Sequence, residues 1–152
     1  MKIRLGTQLS LTCVGTLILL TACGGGSTQL TGAVIDGYIE GAKVCLDIDD
    51  DGACGDTEPS TFTQANGGYS LDVSSRATAG RSIIAEIPNT AKDSDDAGLT
   101  LAAAGKSAYV MAAPADQPDV ITPLTTLIVG KVKSDSLTLA QAKAKVLEQL
   151  PK

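Results

Sequence analysis

Three observations predict a mainly β fold, an antiparallel β-sandwich with a short two-helix appendage at its C-terminal end. Between residues 30 and 118, short apolar runs alternate with polar positions and are cut by Asp-Gly, Asn-Gly-Gly and Pro. From residue 119 onward the apolar spacing lengthens to a helical period, and two Thr-headed helix starts follow. The chain has 152 residues, room for one domain of ordinary size with short extensions.

The N-terminal stretch 1–22 reads as a signal peptide rather than as part of the fold. Lys2 and Arg4 open it, Leu9 to Leu20 forms an apolar middle broken by Thr12, Cys13 and Thr16, and small residues close it. That middle is too short and too interrupted for a comfortable membrane span. Leu20-Thr21-Ala22-Cys23 resembles the lipobox of bacterial lipoproteins, which implies lipidation at Cys23, with palmitate among the acyl groups. Each buried methylene adds about 0.8 kcal/mol, so two or three acyl chains would hold the protein stably at a membrane. Residues 23–29, with Gly24-Gly25-Gly26-Ser27-Thr28, then read as a flexible tether. In such proteins an Asp after the lipidated cysteine tends to mark the inner membrane. Gly24 stands there instead, so an extracytoplasmic, lipid-anchored location is expected, on the outer membrane if the cell has two.

From residue 30 the strands come in order. Gly32 to Ile35 is the first, and Asp36-Gly37 after it is a strong hairpin signal. Ala42 to Leu46 alternates as a strand, with Val44, Leu46 and Ile48 on one face. Thr61-Phe62-Thr63 and Tyr69 to Val73 flank Ala65-Asn66-Gly67-Gly68, so a second hairpin is predicted there, with Phe62 and Tyr69 packed in the core. Arg81 to Ile87, ending at Pro88, and Ser107 to Ala112 read as further strands, separated by a polar loop over Asn89 to Gly98.

The segment between two of these strands carries the chemistry. Asp47-Ile48-Asp49-Asp50-Asp51-Gly52-Ala53-Cys54-Gly55-Asp56-Thr57-Glu58 satisfies D-x-[DN]-x-[DN]-G-x5-E, the sequence form of a calcium loop. A hard cation needs six to eight oxygens at about 2.3–2.6 Å, and alternate carboxylates converge on it only if the backbone turns sharply. The candidate ligands are Asp47, Asp49, Asp51, the carbonyl of Ala53 and Glu58, with Gly52 making the turn. Pro59 pushes Glu58 out of helical geometry, so a strand–loop–strand arrangement is expected instead of an EF-hand.

Of the four cysteines, Cys13 lies in the signal and Cys23 is the lipidation site. Cys45 and Cys54 remain, and in an oxidising compartment they are expected to form a disulfide around the acidic loop. A zinc site is disfavoured, because the chain has no histidine and no second cysteine pair.

Gly41-Ala42-x-Val44, the 47–58 loop, Pro59-Ser60 and Asn66-Gly67-Gly68-Tyr69, in that order, resemble carboxypeptidase-regulatory-like and B-repeat-like modules of bacterial surface proteins. The resemblance covers roughly residues 30–115. It implies an Ig-like or transthyretin-like sandwich, a structural or binding role, and Ca²⁺ in the Asp loop.

The tail, 119–152, changes character. Thr122-Pro123 offers an N-cap followed by Pro at the first helical position. Leu124, Leu127, Ile128 and Val132 then share a face. Thr138-x-x-Gln141 has the form of a capping box, and Leu139, Ala142, Val146 and Leu150 line the helix it opens.

Composition narrows the function. Without histidine, no scheme resting on an imidazole base is open. A net charge of −5 for the whole chain, and −7 once Lys2 and Arg4 leave with the signal, argues against nucleic acid and for cations or cationic partners. The expected role is therefore non-enzymatic: a membrane-anchored surface lipoprotein acting as a structural or partner-binding module. Two alternatives stand beside it. One is a helper subunit docking a larger envelope or adhesin protein, an envelope or extracellular partner, through the helical tail; the other is a hydrolytic enzyme using Ser/Lys or paired carboxylates.

Overall fold

The computed structural model describes residues 26–75 and 77–151. The expected signal peptide and Cys23 lie outside these residues. Among the described residues there are nine strands and two α-helices: β1 (Ser27–Val34), β2 (Ile39–Glu40), β3 (Lys43–Asp47), β4 (Ser60–Phe62), β5 (Gly68–Ser74), β6 (Ser82–Ile87), β7 (Lys92–Asp93), β8 (Tyr109–Pro114), β9 (Val120–Ile121), α1 (Pro123–Asp135) and α2 (Leu139–Gln149). The fold is mainly β with two C-terminal helices, as the sequence predicts.

The strands form a three-stranded sheet in the order β5-β1-β9, a four-stranded sheet β4-β3-β6-β8, and a small ladder β2-β7. One core joins them. Leu30, Val34, Leu71 and Val73 from the first sheet meet Val44, Leu46, Ile83, Ala85 and Met111 from the second, with Ile39, Leu101 and Ile121 closing the ends. Alternation explains this on β5, where Tyr69, Leu71 and Val73 are buried while Ser70 and Asp72 are exposed.

Several expectations change in detail. The strand that precedes Asp36-Gly37 begins at Ser27, so part of the expected tether belongs to β1 and pairs with β5. The Asp36-Gly37 turn forms, closed by an Ile35–Tyr38 bridge and by Gly37 at φ 76°, but the chain then leaves to pair β2 with β7. The polar 89–98 segment contains β7 and a 3₁₀ turn over Ser94–Asp96. The second expected hairpin is not one. A turn closes over 64–68, with Gln64 N–H donating to Gly68 O, yet β4 joins β3 while β5 joins β1. The turn chemistry is right, and the two strands are dealt to opposite sheets. Ile48 falls beyond the end of β3 and is partly exposed, so it does not extend the Val44–Leu46 face. Phe62, expected in the core, is 60% exposed on the outer side of the edge strand β4.

The tail is not an appendage hanging free. Val120 and Ile121 form β9, which runs parallel to β1, so the first sheet is not purely antiparallel. Thr122 caps α1 and Thr138 caps α2, each in a complete capping box. Helix α1 lies on the outer face of the four-stranded sheet, placing Val129 on Cys45, Ile84 and Ala112. Thr125 Oγ1 and Thr126 Oγ1 both engage the backbone of Ala112 and fix the helix to β8. Because α1 uses Ile128 and Val129 for burial, Leu124 and Leu127 from the expected face are left exposed. On α2, Ala142 and Val146 pack against Ile128, whereas Leu150, just past the end of the helix, is exposed.

Candidate metal centre

Strand β3 carries the loop's first carboxylate. Its apolar inward face (Val44, Leu46) seats the strand in the core, and alternation turns Cys45 and Asp47 to the other face, under α1 and the loop. Asp47 is fully buried, with 0% exposure. The chain must then reverse within a few residues. Asp50 takes φ 66° and Gly52 φ 79°, the left-handed conformations that such a turn requires.

The loop exit is held against its entry, with Leu46 N–H donating to Pro59 O at 3.2 Å. This brings Glu58, 8% exposed, back beside Asp47. Carboxylate oxygens of Asp47, Asp49 and Glu58 lie within 4.8 Å of one another.

Backbone donors set the orientation of these groups. Asp47 accepts from Asp51 N–H through Oδ1 (3.1 Å) and from Gly52 N–H through Oδ2 (3.2 Å). Asp49 Oδ1 shares the Asp51 N–H at 3.4 Å. Glu58 bridges the loop, accepting from Ile48 N–H through Oε1 and from Gly55 N–H through Oε2 at 3.0 Å. These backbone donors hold the carboxylates in place, so their convergence is set by the folded loop itself.

The other two expected ligands are placed differently. Asp51 is exposed and its Oδ1 accepts from Ala53 N–H at 2.8 Å, so it caps the turn and is not among the three converging carboxylates. The Ala53 carbonyl lies 3.7 Å from Cys45 Sγ, against the disulfide. Both serve the shape of the loop in this conformation.

The Cys45–Cys54 disulfide forms as the sequence predicts, with the two Cα atoms 5.6 Å apart. Cys54 is clamped from both sides as well. Its N–H donates to Glu86 Oε1 at 2.9 Å, and its carbonyl accepts from Lys43 Nζ at 2.9 Å. Lys43 and Glu86 face each other across β3 and β6, so the sheet register itself fixes the middle of the loop.

Two cations that sequence reasoning missed complete the site. Lys133, in the last turn of α1, places Nζ 2.6 Å from Asp50 Oδ1 and 3.4 Å from Asp47 Oδ2. Partial burial works against its charge, but the hydrogen bond to Asp50 and the fields of Asp47 and Asp50 outweigh this and raise its pKa. Arg81, just before β6, donates from Nη1 to the carbonyl of Ile48. No motif announces either residue, because neither is near the loop in sequence. Beside them, a cavity of about 330 Å³ opens between Asp50, Arg81, Asp116, Val129 and Lys133.

Among the described residues, no helix is long and apolar enough to cross a membrane. Comparison with protein-family models, with curated proteins and with solved structures finds no match for this chain.

Proposed function

We propose that the chain is a non-enzymatic module of an envelope lipoprotein, anchored through Cys23 and braced by Ca²⁺ in the 47–58 loop. The observation that carries the metal half is the convergence of Asp47, Asp49 and Glu58 in a loop pinned by a disulfide. All-oxygen donors suit a hard cation, and a loop that already aims its carboxylates binds it with little reorganisation. The bound ion supplies charge neutralisation that Lys133 gives only in part. Binding therefore stiffens the connection between β3 and β4.

The location rests on the sequence: a basic start, an apolar middle, and Leu20-Thr21-Ala22-Cys23, followed by glycines. The Cys45–Cys54 disulfide accords with an oxidising compartment. The two facing sheets accord with an Ig-like or transthyretin-like sandwich of the carboxypeptidase-regulatory type, although the parallel β1–β9 pair departs from an all-antiparallel plan.

Metabolic labelling with palmitate tests the anchor. The wild type is expected to incorporate label and to sediment with membranes; Cys23→Ala is expected to do neither. Label on the variant, or a soluble wild type, overturns the assignment.

The helper-subunit alternative keeps one supporting observation. Leu124 and Leu127 on α1, Leu147 on α2 and Leu150 just after it are exposed on the helical tail. A pull-down with Leu127→Glu/Leu147→Glu tests it better than deletion of 123–152, since deletion would uncover Ile84, Cys45 and Ala112. Partner capture that survives both charges counts against docking through the tail.

A further inference from the structure

The chain's single phenylalanine lines a groove instead of filling the core. Phe62 stands on the three-residue edge strand β4, where β4 and β5 part toward different sheets. The groove there has a volume of about 380 Å³ and includes Thr31, Thr61, Gln64, Asn66 and Ser70 in its lining.

No residue lining the groove is charged, in a chain with 17 acidic and 12 basic side chains. Its polar groups are also uncommitted. Among the described residues, the side chains of Thr31, Thr61, Gln64 and Ser70 make no hydrogen bond to another protein group. Asn66 uses only Oδ1, which accepts from Gly68 N–H at 3.1 Å and leaves its amide N–H₂ free. A single exposed apolar side chain is ordinary. An exposed ring beside four unspent hydroxyl and carboxamide side chains and the free N–H₂ of Asn66, in a lining without a charged residue, is a combination that asks for a ligand of matching chemistry.

We propose that this groove binds a neutral saccharide. A pyranose presents an apolar C–H face, which the Phe62 ring covers, and hydroxyls that both donate and accept. Carboxamides and hydroxyls match that pattern because each can do both as well. A charged ligand would find no ion-pair partner in the lining. An extended peptide adding to the edge of β4 would find only three residues to pair with, short of an ordinary strand. The proposal does not depend on the metal loop, so either can fail without the other.

Calorimetry and amide-shift mapping on the full chain test it, in a phosphocholine detergent that carries no sugar. The probes are cellohexaose, maltohexaose and chitohexaose. At least one is expected to bind and to shift resonances of residues 31, 61–64 and 66–70. Phe62→Ala is expected to weaken binding about tenfold, the scale of one lost aromatic contact, while Phe62→Tyr keeps it. Gln64→Ala, whose side chain holds nothing in the fold, is expected to weaken it as well and decides the matter if Phe62→Ala fails to fold. No binding by any probe up to about 10 mM overturns the proposal. So does binding that survives loss of the ring or of the Gln64 amide.

Discussion

Lys133 Nζ stands 3.4 Å from Oδ2 of Asp47, a residue 86 positions earlier in the chain. Helix α1 thus brings its own cation to the edge of the acidic loop. The ammonium pairs with Asp50 and Asp47 and, among the described residues, with neither Asp49 nor Glu58.

Replacing Lys133 should therefore have two effects of opposite sign. With calcium chelated, Lys133→Met is expected to lose about 1–2 kcal/mol, toward the low end because the lysine side chain keeps 36% of its exposure. Calcium affinity is expected to rise severalfold, since a like charge next to the ion is gone. Urea unfolding in EGTA and calorimetry read the two separately. Weaker calcium binding by the variant would mean that Lys133 shapes the site more than it competes with the ion.

Glu58 and Asp51 should separate cleanly. Glu58 is buried and ties two backbone N–H groups on opposite sides of the loop, so Glu58→Ala is expected to cost about 2–3 kcal/mol even without metal. Asp51 is exposed and caps one N–H, so Asp51→Ala is expected to cost about 0.5–1 kcal/mol. Thermal unfolding in EGTA checks the order. Equal losses would contradict the bridging role of Glu58.

Reduction should loosen the same region. The disulfide spans a separation of nine residues, and the loop-closure entropy it removes from the unfolded chain corresponds to about 2.5–3 kcal/mol. Cys45→Ala/Cys54→Ala is expected to lower the melting temperature and to weaken calcium binding, because Ala53 and Gly55 lose their pinned neighbour. Unchanged calcium affinity would show that the Lys43–Cys54–Glu86 clamp suffices.

Alkaline stability should carry the mark of Tyr69. Burial first, and Asp119 second, push its phenol above the ordinary range, and its hydroxyl donates to the Pro118 carbonyl. The folded-state pKa is raised, so the stability it contributes is whole below about pH 10, where the unfolded phenol titrates. It falls by up to about 1.4 kcal/mol per pH unit above that. Urea midpoints at pH 9 and pH 11 should differ accordingly. Tyr69→Phe should lose about 1 kcal/mol at neutral pH and flatten the alkaline fall. A fall as steep as that of the wild type would place the titration elsewhere.

What could be read beforehand was what is decided locally. Thr122-Pro123 and Thr138-x-x-Gln141 cap their helices because capping needs only residues three apart. The 47–58 pattern places its turn at Gly52 for the same reason. Sheet membership is decided by long-range packing, and there the reading failed. Asn66-Gly67 makes a turn, but nothing in 61–73 says that β4 and β5 will part. Once β4 becomes an edge, Phe62 falls on its outer side with Lys43, its partner in register. Lys133 and Arg81 reach the loop through the packing of α1 on β8 and through the β3–β6 register, neither of which has a motif. The β9–β1 pairing is two residues long and parallel, too slight to leave a periodic trace.

Calorimetric titration of the purified protein with Ca²⁺, wild type against Asp49→Ala, tests the metal centre most directly. Asp49 contributes one of the three converging carboxylates and is exposed, so its loss should leave the fold intact. The expected result is one saturable Ca²⁺ site in the wild type, reversed by EGTA and weakened at least about tenfold in the variant. No heat of binding in the wild type, or equal affinity in the two proteins, would contradict it.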